Sequence, residues 1–264
     1  MWKVHRVVLN KWFIVLFNLF ILSCTSSIDD KQMQEVSRNK PISTNVSKVS
    51  INKSDSIKEV HIGELERELM LSGLVDIQEI DSTILIDVRY SSLNNFMKED
   101  VYGDLEKIYL QKTVALDLKK CNAYLKEIDS SLVLLVYDGV RPRSVQQKMW
   151  DVLDLPIHEK TKFVSNPKNG SIHNFGCAVD LTIAHLNGDS LDMGAGYDDI
   201  RKIAYPRHEE KFLKSGELSL KQLNNRKLLR RVMRKGGFYN IQTEWWHFNR
   251  YSRNKAKTLF KIIE

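Results

Sequence analysis

The sequence predicts an α+β fold, a single domain whose central antiparallel sheet is flanked by helices. Three observations carry this. Apolar runs of strand length at 132–137 and 178–186 end in turn signals, Asp138-Gly139 and Asn187-Gly188-Asp189-Ser190. Segments with a helical apolar period stand around them, at 113–128 and 219–235. The two kinds of segment do not alternate in a strict strand–helix–strand rhythm, which argues against a doubly wound parallel sheet.

Taken in order, the first 24 residues are expected to lie outside the fold. Lys3, Arg6 and Lys11 precede an apolar run from Trp12 to Leu22, broken only by Asn18. That run is too short to span a bilayer as a helix and suits the apolar region of a signal peptide. It ends in Ile21-Leu22-Ser23-Cys24, a small residue directly before a cysteine, which resembles the lipobox of bacterial lipoproteins. The resemblance implies lipidation of Cys24 and a membrane-attached protein in the cell envelope. The plain alternative is a secretory signal with an incidental cysteine. Residues 25–60 are rich in Ser, Asn, Lys and Asp without an apolar period and read as a disordered tether.

The folded domain is expected over 61–264. A short helical pattern covers 63–71, and a strand signal covers 83–90. Residues 113–128 place Val114, Leu118, Cys121, Leu125 and Ile128 on one helical face. The strand at 132–137 stops at Asp138-Gly139, and Pro142 suits the first turn of a helix at about 143–153. After the strand at 178–186, helices are expected near 208–214 and 219–235, stopped by Gly236-Gly237. Short strands are expected at 238–239 and 245–248, then a last helix within 252–263. Composition fits one domain with a sizeable core: 264 residues, 42% of them hydrophobic. The formal net charge is +7, without a Lys/Arg block interleaved with aromatics. Nucleic-acid binding is therefore not expected, while the charge leaves room for mild attraction to an anionic surface. Cys121 and Cys177 read as small buried thiols, with a disulfide between them as the alternative.

Chemistry concentrates in two segments, Ser171-Ile-His173-Asn-Phe-Gly176-Cys-Ala-Val-Asp180 and Glu244-Trp-Trp-His247. His173, Asp180 and His247 offer three N/O ligands, the usual protein share of a catalytic zinc site. Glu244 is a nearby carboxylate free to take a proton. Asn174-Phe175-Gly176 lets the chain turn, so that His173 in a loop and Asp180 in a strand reach one point. An Asp between Val179 and Leu181 needs a partner, either a metal or an arginine. Glu244 is expected at a strand entrance and His247 within it, with Trp245, Trp246 and Phe248 walling the site. Arg141, between a turn and a helix start, can aim a fixed charge at an oxyanion or pair with Asp138. Arg143 falls on the helix and is expected to be exposed.

These residues resemble the VanX-type D-alanyl-D-alanine dipeptidases, zinc peptidases related in fold to D,D-carboxypeptidases and to the hedgehog signalling domain. The matching stretches are Ile86-Asp-Val-Arg-Tyr90 through Asn95-Phe96, Asp138-Gly-Val-Arg-Pro142, Ser171 to Thr182, Asp192-Met-Gly-Ala-Gly-Tyr-Asp198, and Gly237-Phe238 with Glu244 to His247. The resemblance implies one Zn²⁺ held by His173, Asp180 and His247, with Glu244 as catalytic base and then acid. It implies Arg141 as the stabiliser of the tetrahedral intermediate, oriented by Asp138, and Ser171 and Asp198 as dipeptide-binding residues, Asp198 toward the substrate ammonium. A helix cap is the alternative for Asp198. The interval from Arg143 to Ser171 is shorter than the family's, and the lipobox and tether set this chain apart from the cytoplasmic resistance enzymes. The expected activity is zinc-dependent hydrolysis of D-Ala-D-Ala, or of a related D-amino-acid dipeptide, in peptidoglycan turnover. The alternatives are a carboxypeptidase or endopeptidase acting on longer wall peptides, and a non-catalytic binding module.

Overall fold

In the computed structural model, residues 62–161 and 163–264 are described. The expected signal segment 1–24, Cys24 and the tether at 25–60 lie outside them. The elements run α1 (Glu64–Leu71), β1 (Val75–Asp76), α2 (Ile77–Ile80), β2 (Leu85–Ile86), β3 (Tyr109–Leu110), α3 (Lys112–Ile128), β4 (Leu132–Asp138), α4 (Arg143–Val152), α5 (Ile157–Lys160), β5 (Ala178–His185), α6 (Glu209–Ser215), α7 (Leu220–Lys235), β6 (Tyr239–Asn240), β7 (His247–Asn249) and α8 (Arg253–Leu259). The strand order of the main sheet is β2-β4-β5-β7-β6, and β1 pairs separately with β3. The sheet is antiparallel except at its edge, where β2 runs parallel to β4. That edge strand is two residues long, shorter than the 83–90 signal suggests, because the chain turns into a 3₁₀ segment at Arg89–Ser91.

The two central strands, β4 and β5, are apolar enough to be covered on both faces. Alternation then divides their side chains. Leu132, Leu134 and Val136 of β4 and Val179, Leu181 and Ile183 of β5 face the main core, with Leu118, Cys121 and Leu125 of α3 and Leu229, Val232 and Met233 of α7. The opposite face carries Leu135, Tyr137 and Ala184 against Tyr197, and it carries Asp180. Helices α3 and α7 thus back one face of the sheet and the polar site occupies the other. Ile128, expected on the buried face of α3, is 38% exposed, because the helix ends there and the chain leaves for β4. Helix α7 starts from Ser219, whose side chain accepts from Gln222 N while Gln222 reaches back, a capping box that satisfies two otherwise orphaned amides. Pro142 is the N-cap of α4 rather than a residue of its first turn.

Candidate active site

The site begins with an irregularity in β4. Val136 pairs with Leu181, but the next pair is Asp138 with Asp180, so Tyr137 is the extra residue of a bulge. A regular strand would turn Asp138 to the core side with Val136. The bulge turns it to the side of Asp180. Across the next ladder, Asp180 stands directly opposite His247. Asp138, Asp180 and His247 therefore form a row across three neighbouring strands, as side chains in register on one face must. His173 comes from outside the sheet, on a 3₁₀ turn at His173–Phe175 that ends in Gly176 with φ +63°. A side chain at Gly176 would meet Leu74 and Gln111 as well as the left-handed backbone, so glycine is required there. The expected arrangement, a loop histidine and an in-strand aspartate reaching one point, is what the structure has.

The three atoms that could hold a metal are His173 Nε2, His247 Nδ1 and Asp180 Oδ1. They lie 3.1 Å (His–His), 3.0 Å (His247–Asp180) and 3.4 Å (His173–Asp180) apart. Tetrahedral coordination with bonds of about 2.0–2.1 Å gives ligand-to-ligand edges of about 3.3–3.4 Å, so the triangle has the size of one tetrahedral face. The outward nitrogens fix the tautomers. His173 Nδ1 is 2.6 Å from the Gly139 carbonyl, and His247 Nε2 is 3.0 Å from Asn249 Oδ1. Both outward nitrogens face acceptors and so carry the N–H, which leaves both inward nitrogens as lone pairs pointed at each other and at a carboxylate. Such a cluster calls for a cation. Without a metal that demand falls on protons: burial alone would raise Asp180, but imidazoles carrying a proton inward hold it well below the usual carboxylate range, while burial is outweighed at His247 by Asp180, which raises it. Zinc fits this donor set.

Around the triangle is a cavity of about 270 Å³ lined by Tyr90, Arg141, Ser171, Asp198, Glu244 and Trp246 among others. Glu244 precedes β7, with 31% of its side chain exposed and its Oε2 3.9 Å from His247 Nδ1. Its surroundings push its pKa up, chiefly through desolvation, with His247 opposing and Asp180 adding to the rise. Arg141 is 7% exposed. Its Nε donates to Asp138 Oδ2 at 3.1 Å and its Nη2 also bonds that oxygen, while Nη2 is 3.7 Å from Asp180 Oδ2. The guanidinium also lies 5.0 Å from the Tyr90 ring centroid. The pairing with Asp138 and the aim into the site thus coexist. Asp138 is fully buried and also accepts from Tyr102 Oη at 2.7 Å and Gly139 N at 2.9 Å. Arg143 instead pairs with Glu264 and has 36% of its side chain exposed.

Asn174 joins the two halves of the site. Its Nδ2 donates to the Arg141 carbonyl (2.7 Å) and to Gln146 Oε1 (2.8 Å), and its Oδ1 accepts from Ser171 N at 2.6 Å. Ser171 is 7% exposed and lines the cavity, and its Oγ has no partner among the described residues. Asp198 holds a left-handed conformation, φ +61°, and accepts from Tyr90 Oη at 3.2 Å on each oxygen. Burial and then Asp180 push its pKa well up, with Arg141 opposing. No helix starts at Asp198, since the next element is a 3₁₀ turn at Lys202–Ala204, so the capping alternative is not realised. Of the three aromatics expected to wall the site, only Trp246 lines it. Trp245 opens to a separate groove, and Phe248 is in the core, on the other face of its strand from His247. Cys121 and Cys177 are free, buried thiols.

Sequence reasoning missed Asn249, Tyr90, Tyr197 and Arg253. Asn249 was within reach, since two residues beyond His247 in a strand is the same face. Tyr197 Oη donates to Asp180 Oδ2 at 3.2 Å. Arg253 lines the cavity next to Ser171, its Nη1 donating to the carbonyls of Asn169 (2.5 Å) and Gly170 (2.9 Å). No local pattern announces residues that arrive from separate turns.

Comparison with known proteins is consistent with this geometry. A protein family described as D-ala-D-ala dipeptidase matches residues 70–263. The D-alanyl-D-alanine dipeptidase of Escherichia coli (strain K12) is 31% identical over 175 residues, which cover 66% of this chain and 83% of the relative. That of Enterococcus faecalis is 26% identical over 208 residues, covering 73% and 98%. Among solved structures, the LD-carboxypeptidase LdcB aligns over 57% of this chain and 63% of its own, at 21% identity and a TM-score of 0.34.

Proposed function

The chain belongs to the D-Ala-D-Ala dipeptidase family and is a metallopeptidase of the dipeptidase type, and from that premise we propose how its residues divide the work, with zinc as the metal. The observation that carries the proposal is the convergence of two imidazole lone pairs and a carboxylate beside Glu244 in one cavity. His173, Asp180 and His247 would hold the zinc, which when bound would supply a lowered pKa for a water and polarisation of the scissile carbonyl. Glu244 takes the proton of the attacking water on its carboxylate and passes it to the leaving amine. Arg141, held by Asp138, keeps a permanent charge beside the developing oxyanion without having to reorganise.

Charged and polar groups lining the cavity set the polarity of the dipeptide. Asp198 receives the substrate ammonium, whose arrival favours the ionised carboxylate that burial disfavours. The unpartnered Ser171 Oγ and Arg253 receive the substrate carboxylate. A carboxylate that must be matched by a free amine at one end makes a dipeptide the fitting length. The protein acts on D-alanyl-D-alanine or a related D-amino-acid dipeptide released in peptidoglycan turnover. The lipobox-like Ile21-Leu22-Ser23-Cys24 supports a lipid anchor and an envelope location. Incorporation of labelled fatty acid, lost in Cys24→Ser, tests that part.

For the activity, zinc-loaded protein is incubated separately with D-Ala-D-Ala and with a pentapeptide ending in D-Ala-D-Ala, and released D-alanine is measured. Release from the dipeptide alone, abolished in Glu244→Gln, is the expected result. Release from the pentapeptide as well would transfer the chain's chemistry to carboxypeptidase action. Release from neither would refute this substrate class.

A further inference from the structure

Helix α7 contains Lys221, Arg226, Lys227, Arg230, Arg231, Arg234 and Lys235 and no acidic residue. Its seven cations equal the formal net charge of the whole chain, +7, so the remainder of the sequence is formally neutral. Two of the seven serve the fold. Arg230 makes a bidentate pair with Glu209 (2.8 and 2.7 Å), and the buried Arg226 lies 3.6 Å from the same carboxylate and donates to the carbonyls of Met193 and Ile203. Glu209 is thereby turned inward and consumed, and the other acid beside the helix, Asp192, is held by Gln222 at the first turn, where Lys221 is the stripe cation it faces. The other five are exposed. Lys221, Lys227, Arg231 and Arg234 form no ion pair with any described residue, and Lys235 only rests over the Tyr124 ring at 5.0 Å. At 3.6 residues per turn the five fall within an arc of about 140°, opposite Leu229 and Met233, which face the core.

A one-sign stripe on a rigid helix, in a chain otherwise balanced, holds like charges together at a cost in mutual repulsion that contributes nothing to this fold. We propose that the exposed face of α7 docks on an anionic phospholipid surface. The occupant follows from charge complementarity together with the N-terminal segment, which is read above as a lipid anchor. The proposal rests on that reading for its bilayer. An anchored domain on a tether meets the headgroups at high effective concentration, so even a weak electrostatic contact is populated. The placement of the helix gives the contact a consequence. Because α7 backs one face of the sheet and the cavity opens from the other, docking through α7 turns the active site away from the bilayer, toward soluble wall fragments.

The test is co-sedimentation of the full-length chain with vesicles of phosphatidylcholine alone and with vesicles containing roughly 30% phosphatidylglycerol, at about 0.05 M and 0.5 M salt. The anchor contributes equally to both compositions, so α7 is read from the difference. The expected result is a preference of at least about tenfold for anionic vesicles at low salt, erased at high salt and erased in Lys227→Glu/Arg231→Glu/Arg234→Glu. The hydrolytic kcat/KM of that variant on a soluble dipeptide stays unchanged, which checks its fold. Substitution of the same three by Gln, also expected to erase the preference, covers the case in which reversal prevents folding. Equal binding to both compositions would overturn the proposal while leaving the anchor standing. Absence of binding to neutral vesicles would count against the anchor alone. Retention on an immobilised soluble polyanion without any vesicle preference would replace the lipid by an acidic polymer.

Discussion

Asn249 carries the sharpest test of how the metal site is held. Its Oδ1 accepts from His247 Nε2 at 3.0 Å, and this contact leaves the Nδ1 lone pair aimed inward at Asp180 and His173. Asn249 is 7% exposed, so bulk water has little access to replace the lost acceptor. Its backbone sits in the ladder opposite Ala178 and Tyr239, and an alanine there keeps those bonds. Asn249→Ala therefore frees the His247 ring to adopt the other tautomer without dismantling the strand. Loss of such an outer partner costs about 10–100-fold in metal affinity, or about 1.4–2.7 kcal/mol. The assay is competitive zinc titration of metal-free protein against a chelator of known affinity. Asn249→Asp retains an acceptor oxygen and is expected to recover most of the affinity, while thermal unfolding of the metal-free proteins reports any purely structural loss. Unchanged zinc affinity in Asn249→Ala, or an Asn249→Asp that binds as poorly as the alanine variant, would refute the reasoning.

Other predictions follow from burial and pairing. Burial pushes the thiols of Cys121 and Cys177 up to about 12, and both are fully buried. Native protein at pH 8 should therefore resist alkylation at both, with modification appearing on unfolding in denaturant. Glu209→Gln weakens the bidentate pair with Arg230 and leaves a buried arginine with no carboxylate. Denaturant unfolding should show a loss of about 3–5 kcal/mol. At Glu66, burial raises the pKa, but hydrogen bonds from Lys107 (2.7 Å) and Tyr109 Oη (2.8 Å) win and lower it. A depressed carboxylate stabilises the folded state above its unfolded pKa, about 4.3, and loses that contribution as pH falls through the folded value. The stability gap between wild type and Glu66→Gln should hold at neutral pH and close on acidification in urea titrations at stepped pH. A gap that widened toward low pH would contradict the assignment.

The sequence made legible what lies in local patterns. Strands β4 and β5 and helices α3 and α7 appear where period and turn signals put them, because long apolar runs leave few alternatives. The convergence of His173, Asp180 and His247 was legible for a different reason: an aspartate inside a run of buried apolar residues is too costly to stand without a partner, and two histidines occurred in segments of matching chemistry. The bulge at Tyr137 was not legible. Nothing in 132–138 distinguishes a strand that keeps its alternation from one that slips by one residue, yet the slip brings Asp138 beside Asp180. The short pairs β1–β3 and β6–β7 were equally weak as sequence signals, being two or three residues long and held by partners far along the chain. The roles of Trp245 and Phe248 were misassigned because three consecutive large aromatics look alike in composition, while alternation distributes them among different environments.

Charge balance supplies the last argument for what this cavity takes. Asp138, Asp180, Asp198 and Glu244 place four carboxylates around one guanidinium, that of Arg141. Burying that excess without counter-charge is prohibitive, and the protein answers by pushing Asp198 and Glu244 toward their neutral forms. A divalent cation at the His173–Asp180–His247 triangle and an ammonium at Asp198 are together the charge that lets all four carboxylates ionise. The substrate carboxylate then needs its own cation, and Arg253 stands beside Ser171 to provide it. A peptide without a free amine would leave Asp198 to be buried without its partner. Discrimination against N-blocked D-Ala-D-Ala should accordingly be large in kcat/KM, and Asp198→Asn should weaken the free dipeptide far more than the blocked one. Equal effects of that substitution on both substrates would remove Asp198 from the recognition of the amine.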